Sequence, residues 1–116
     1  METIIVDPGL YPRWDKIIRE NFDPDIFHSS EWAQVLKETY NFRPLYFVAS
    51  ENRQPIALIP LSEVVSLVTG KRGVSLPFSD YCNFLSNSDE YLKSMMEQIK
   101  AYGQQQNWKY IEFRSL

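Results

Sequence analysis

Three runs rich in β-branched and aromatic residues, 45–50, 55–65 and 72–76, follow one another with only 51–54 and 67–70 between most of their length. Connections that short leave no room for the helical crossover that parallel neighbours need, so the runs are expected to pair as an antiparallel meander. Pro60 lies inside the middle run. A proline withdraws one amide from the ladder, which sheets tolerate at an edge or a bulge, so the sheet is expected to be irregular and to bend near Ile59 to Leu61.

On either side of the meander the hydrophobic period changes. Ile4, Ile5 and Val6 read as a short strand that Asp7-Pro8-Gly9 ends. From Pro12, which suits a first helical turn, to Asn21, the side chains of Trp14, Ile17 and Ile18 fall on one face and Asp15, Lys16, Arg19 and Glu20 on the other. A second helix is expected after Asp23-Pro24-Asp25, capped by Ser29 or Ser30, with Trp32, Val35, Leu36 and Tyr40 on its apolar face and Asn41 at its end. Ser88, followed by Asp89 and Glu90, opens a third, whose buried stripe is Leu92, Met95, Met96, Ile99 and Tyr102. Gly103 and Asn107 weaken its end, and 110–114 alternates as a last strand. That strand is expected to return beside the one before the third helix, parallel to it, through a right-handed crossover. The order β-α-α-β-β-β-α-β defines a mixed α/β or α+β fold, and with no repeat or linker residues 1–116 read as one domain.

Composition narrows the function. A chain of 116 residues with 44% hydrophobic and 15% aromatic content fills a single core. Its net charge of −3, from 15 acidic and 12 basic residues spread along the chain, shows no basic stripe and disfavours general nucleic-acid binding. The single cysteine, Cys82, forms no intrachain disulfide and fits the reducing cytoplasm. No signal-like leader opens the sequence, and no apolar run approaches the ~20 residues of a membrane-spanning helix.

The stretch Lys71-Arg72-Gly73-Val74-Ser75-Leu76-Pro77-Phe78-Ser79-Asp80-Tyr81 joins a basic turn, an apolar strand and an aromatic, acidic loop. No catalytic triad, metal-ligand cluster or glycine-rich phosphate loop accompanies it, so it reads first as a binding surface. Asp80 is either a base or acceptor for an amine, or the cap of a turn. Lys71 and Arg72, the one adjacent basic pair, either clamp a phosphate or carboxylate or stand solvated at a hairpin tip. His28, the one histidine, has no nucleophile or second metal ligand nearby in sequence and is expected to order the start of the second helix. Cys82 has no activating partner, and Trp14, Trp32 and Trp108 fall where large rings build a core.

Several segments are more specific. The run Phe27-His28-Ser29-Ser30-Glu31-Trp32 followed by Leu36, then Phe42-Arg43-Pro44-Leu45-Tyr46, then Ile56-Ala57-Leu58-Ile59-Pro60-Leu61, then Gly73 through Tyr81, resembles the N-terminal half of FemAB-like proteins. These are tandem GNAT-fold proteins related to the aminoacyltransferases that build peptidoglycan bridges. The resemblance runs from about Trp14 to Arg114 and implies a partial GNAT-like fold. It further implies an acyl- or aminoacyltransferase acting on an amine acceptor such as a cell-wall precursor, with Asp80 and Tyr81 orienting the acceptor and Phe78 and Ser79 lining its cleft. Lys71, Arg72 and Lys37 are then the candidate substrate-binding cations, Lys37 being the basic residue of the helix that begins near Trp32.

Two departures limit what carries over. Family members continue into a second GNAT-like domain, so this chain is expected to be an N-terminal half that is inactive alone. Where acetyl-CoA-dependent relatives have a basic, glycine-rich pyrophosphate loop, residues 77–84 contain no glycine and include Asp80. That loop lacks the backbone freedom to wrap a pyrophosphate, and its aspartate repels one, so no cofactor is expected. A rival reading makes the chain a non-catalytic binding or assembly module, a homodimer paired through its C-terminal strand.

Overall fold

The computed structural model describes residues 2–68, 70–75, 85–86 and 89–113, except for the side chain of Phe27. The chain forms β1 (Glu2–Val6), α1 (Trp14–Asn21), a 3-10 turn (Ile26–His28), α2 (Ser30–Tyr40), β2 (Arg43–Pro44), β3 (Tyr46–Glu51), β4 (Gln54–Ile59), β5 (Ser62–Ser66), β6 (Gly70–Val74), β7 (Leu85–Ser86), α3 (Asp89–Gln105) and β8 (Ile111–Glu112). The class is the expected mixture of helices and a mixed sheet, with the middle run divided in two and the short β2 and β7 added.

The meander forms, and its ladder is irregular at Pro60 as expected, although the irregularity is not a bulge. Phe47 faces Ile59 and Pro44 faces Ser62, three steps along on each strand, so no residue is inserted opposite Pro60. Only ladder bonding lapses there, and the Leu45 amide still donates to the Leu61 carbonyl at 2.8 Å. The bulge lies further back, between Ala49 and Ser50, where Ile56 is the extra residue before Pro55. Ile56 and Ala57, neighbours in sequence, consequently enter the same core cluster.

What changes at Pro60 is the opposite edge of the run. β4 pairs there with β7, and β5 pairs with β6. Two four-stranded sheets result, ordered β1-β3-β4-β7 and β2-β5-β6-β8. β6 and β8 are parallel, with Gly73 opposite Ile111 and Val74 opposite Glu112, which is the expected crossover through α3.

Both faces are covered. Tyr46, Val48 and Leu58 join Val6 with Trp14 and Ile18 of α1 and Ala33 of α2, while Phe47, Ala49 and Ile59 pack on Met95 and Ile99 of α3. Alternation along β3 sends neighbouring residues to opposite layers, and burial on both sides explains the nearly continuous apolar runs.

Helix boundaries follow local chemistry. Arg13 has a left-handed φ of 61, so α1 starts at Trp14 and Pro12 stays outside it. Ser29 caps α2 by accepting from the Trp32 amide at 3.2 Å, and Asn41, at φ 57, ends it as expected. The buried face of α2 is rotated from expectation: Ala33 and Leu36 are buried, whereas Val35 and Tyr40 are exposed. Asp15, expected on the outer face of α1, reaches the start of α2, where its carboxylate accepts from the Ser30 amide at 2.9 Å and the Ser30 hydroxyl at 2.6 Å. Along α3, Met95 and Ile99 are buried and Leu92, Met96 and Tyr102 pack against the same cluster.

Candidate functional site

The crossover determines where the expected site begins. In sheets with parallel crossovers, ligands bind beyond the carboxyl ends of the strands. At that end of β6 stands Ser75, whose amide donates to the Glu112 carbonyl at 2.8 Å, and the next described residue is Leu85 in β7. Ser75 and Leu85 are both buried. β6 pairs with β5 and β7 with β4, so the strands that border 76–84 in sequence flank the two halves of one run. Phe78, Ser79, Asp80, Tyr81 and Cys82 lie outside the described residues.

Lys71 and Arg72 are placed. β5 ends at Ser66 and β6 begins at Gly70, so both residues are in β6, opposite Val65 and Val64 respectively. Consecutive strand residues point to opposite faces, so the pair does not converge on one ligand. The Arg72 guanidinium stands 5.9 Å from the centre of the Tyr110 ring, while Lys71 is exposed and its carbonyl accepts from the Lys109 amide at 2.7 Å. Lys37 is on α2, and its ammonium pairs at 3.0 Å with Asp7 just after β1. These three cations therefore occupy separate surroundings.

Pattern reading passed over Glu63. It is 7% exposed, lies opposite Gly73 in β6, and its carboxylate accepts from Trp108 Nε1 at 2.7 Å. Gly73 makes the contact feasible: a Cβ there would overlap the indole ring. Gly103 of α3 meets the same ring from the helix side. Ser62 and Ser75 are also buried, and the Ser62 hydroxyl has no hydrogen-bond partner among the described residues. Buried polar atoms thus gather where β5 and β6 meet. The available signal was an acidic residue inside an apolar run, a pattern that strands bury only with a partner.

His28 does what its position suggested. It is buried, its Nδ1 accepts from the Asp25 amide at 3.0 Å, and its carbonyl receives Trp14 Nε1 at 2.9 Å, which fixes the entry to α2. Among the described residues, no three His, Cys, Asp or Glu side chains converge as a metal-ligand set, and no helix is long and apolar enough to cross a membrane. No protein-family model, curated protein or solved structure matches this chain.

Proposed function

We propose that this chain is the first GNAT-like half of a FemAB-like transferase, acting in the cytoplasm on an amine acceptor of the cell-wall-precursor type. The observation that carries the reading is the parallel β6-α3-β8 crossover, with Phe78 to Tyr81 following β6 in the sequence. In the reaction, the acceptor amine attacks the carbonyl of an activated acyl or aminoacyl ester. A C–N bond forms, the ester C–O bond breaks, and the proton released from nitrogen ends on the departing carrier oxygen. Asp80 accepts a hydrogen bond or that proton in transit, Tyr81 orients the acceptor, and Phe78 and Ser79 line its cleft. Lys71, Arg72 and Lys37 would act as separate anchors for anionic parts of the substrates. The second domain completes the donor site.

The test is titration of the chain with a soluble peptidoglycan precursor, comparing wild type with Asp80→Ala and Tyr81→Phe. Saturable binding that falls about tenfold or more in Asp80→Ala, with unchanged circular dichroism, supports the reading. Absence of binding, or equal binding by all three proteins, overturns it.

A second reading rests on a specific feature: among the described residues β8 ends the order of its sheet, with β6 on one side. An edge of that kind pairs readily with another strand, so a homodimer through β8 is the assembly-module alternative. Light scattering decides it, since a monomer at micromolar concentration excludes the dimer.

A further inference from the structure

A cleft of about 190 Å³ lies between β1, α1 and the turn that joins β3 to β4. No residue expected in the transferase site lines it. Its walls are apolar, with Ile4 from β1, Ile17 from α1, Pro55 from β4 and Tyr11 from the loop before α1. Ile4 is 45% exposed and Tyr11 39% exposed, so this surface faces solvent. Tyr11 stands edge-on to the buried Trp14, with ring centroids 6.0 Å apart, and Trp14 is in turn edge-on to Tyr46 at 5.8 Å. The aromatic wall is thereby held by the core.

At the rim is one cation, Arg53. It occupies the β3–β4 turn with φ 66 and makes no ion pair among the described residues. Glu51, the nearest acid in sequence, accepts instead from the Tyr91 hydroxyl at 3.2 Å. Asn21, Ser50 and Gln54, which also line the cleft, are uncharged.

We propose that this cleft binds a small monocarboxylate with a compact apolar body, an arylalkanoate being the type. Its ring lies against Tyr11 and Ile17, and its carboxylate meets the Arg53 guanidinium, whose planar donors match two carboxylate oxygens. The cavity is smaller than the ~300–1,000 Å³ of pockets for drug-sized ligands, which restricts the body to about one ring and a short chain. A phosphate is disfavoured because the lining offers one cation, which leaves the second charge of a dianion uncompensated. This site is independent of the transferase reading.

The experiment is an NMR titration of the full chain with 3-phenylpropanoate, following the Ile4 and Ile17 methyls and Arg53 Nε. Saturable shifts at these groups are expected, with binding weakened about tenfold or more for 3-phenylpropanamide and for Arg53→Asn. Asparagine is suited to the left-handed backbone at this turn, so the variant removes the cation without straining the fold. Equal affinity for acid and amide, no loss in Arg53→Asn, or no saturable shift overturns the proposal. So does a dependence of the same methyl signals on protein concentration without ligand, which would assign the cleft to a second copy of the chain.

Discussion

The Trp108 indole donates from Nε1 to the buried carboxylate of Glu63 at 2.7 Å, tying the residue that follows α3 to β5 across the glycine at position 73. This bond links the crossover to the strand run that organises the sheet. Trp108→Phe keeps most of the ring but leaves a buried acceptor without its donor, a change that costs about 1–3 kcal/mol. Urea denaturation measures it, with Glu63→Gln, which retains an acceptor, expected to lose less. A Trp108→Phe loss below about 0.5 kcal/mol, the range of ordinary surface substitutions, would refute a stabilising role for the bond.

Gly103→Ala should break the usual helix rule. In an exposed helix interior the change gains roughly 0.8–1.0 kcal/mol, because alanine is the better helix former. Here the new Cβ would come within 2.8 Å of the Trp108 ring, so overpacking is expected to reverse the sign and cost about 1–3 kcal/mol. Thermal unfolding of this variant and of Gly103→Ala/Trp108→Leu separates the two terms: stability should recover in the double variant relative to Trp108→Leu alone.

Asp15→Ala removes two hydrogen bonds at once, those from the Ser30 amide and from its hydroxyl. Loss of a cap of this kind costs about 0.5–2 kcal/mol. Amide hydrogen exchange should show faster opening at the start of α2, with α3 unaffected. Uniform acceleration across both helices would mean that Asp15 does not act through that helix end.

Tyr91 should titrate above the ordinary phenol value of 10.0. The negative charge of Glu51 is the main cause, followed by the hydrogen bond that its carboxylate accepts from the phenol, desolvation and the charge of Glu90. A raised folded-state value favours the neutral phenol, so the associated stabilisation is present below the unfolded value and is lost as pH rises through the folded one. Tyrosine ring-carbon NMR should show Tyr91 titrating above the ordinary phenol value, and Glu51→Gln should bring it down. An unchanged titration in that variant would rule out Glu51 as the cause.

Much of the fold was legible because periodicity and turn chemistry agreed. The three-strand meander, the crossover through α3, Ser29 as a cap and Asn41 as a stop were all accessible from local pattern. The failures involve information that a local pattern does not carry. The irregular ladder expected at Pro60 is present, but sequence left open whether it was an edge or a bulge, and the inserted residue is Ile56, beside a different proline. Val35 and Tyr40 looked buried, but the rotation of α2 is set by what Ala33 and Leu36 meet on the sheet. Asp15 and Glu63 gain their roles from residues 15 and 45 positions away, Ser30 and Trp108, beyond any helical or strand repeat. For the site, Lys71 and Arg72 looked like a pair in sequence, and the strand alternation that separates them became visible once both were placed within β6. Asp80 and Tyr81 remain a reading from sequence, as they fall outside the described residues.

Ser75 and Leu85, the described residues that border 76–84 in sequence, are fastened to different partners, Ser75 to Glu112 and Leu85 to Leu58. Each border thus has its own anchor, one in either sheet. A stretch of chain tethered to two separate frames at once inherits its end points from both, so its reach is set by how the two frames are joined at Pro60.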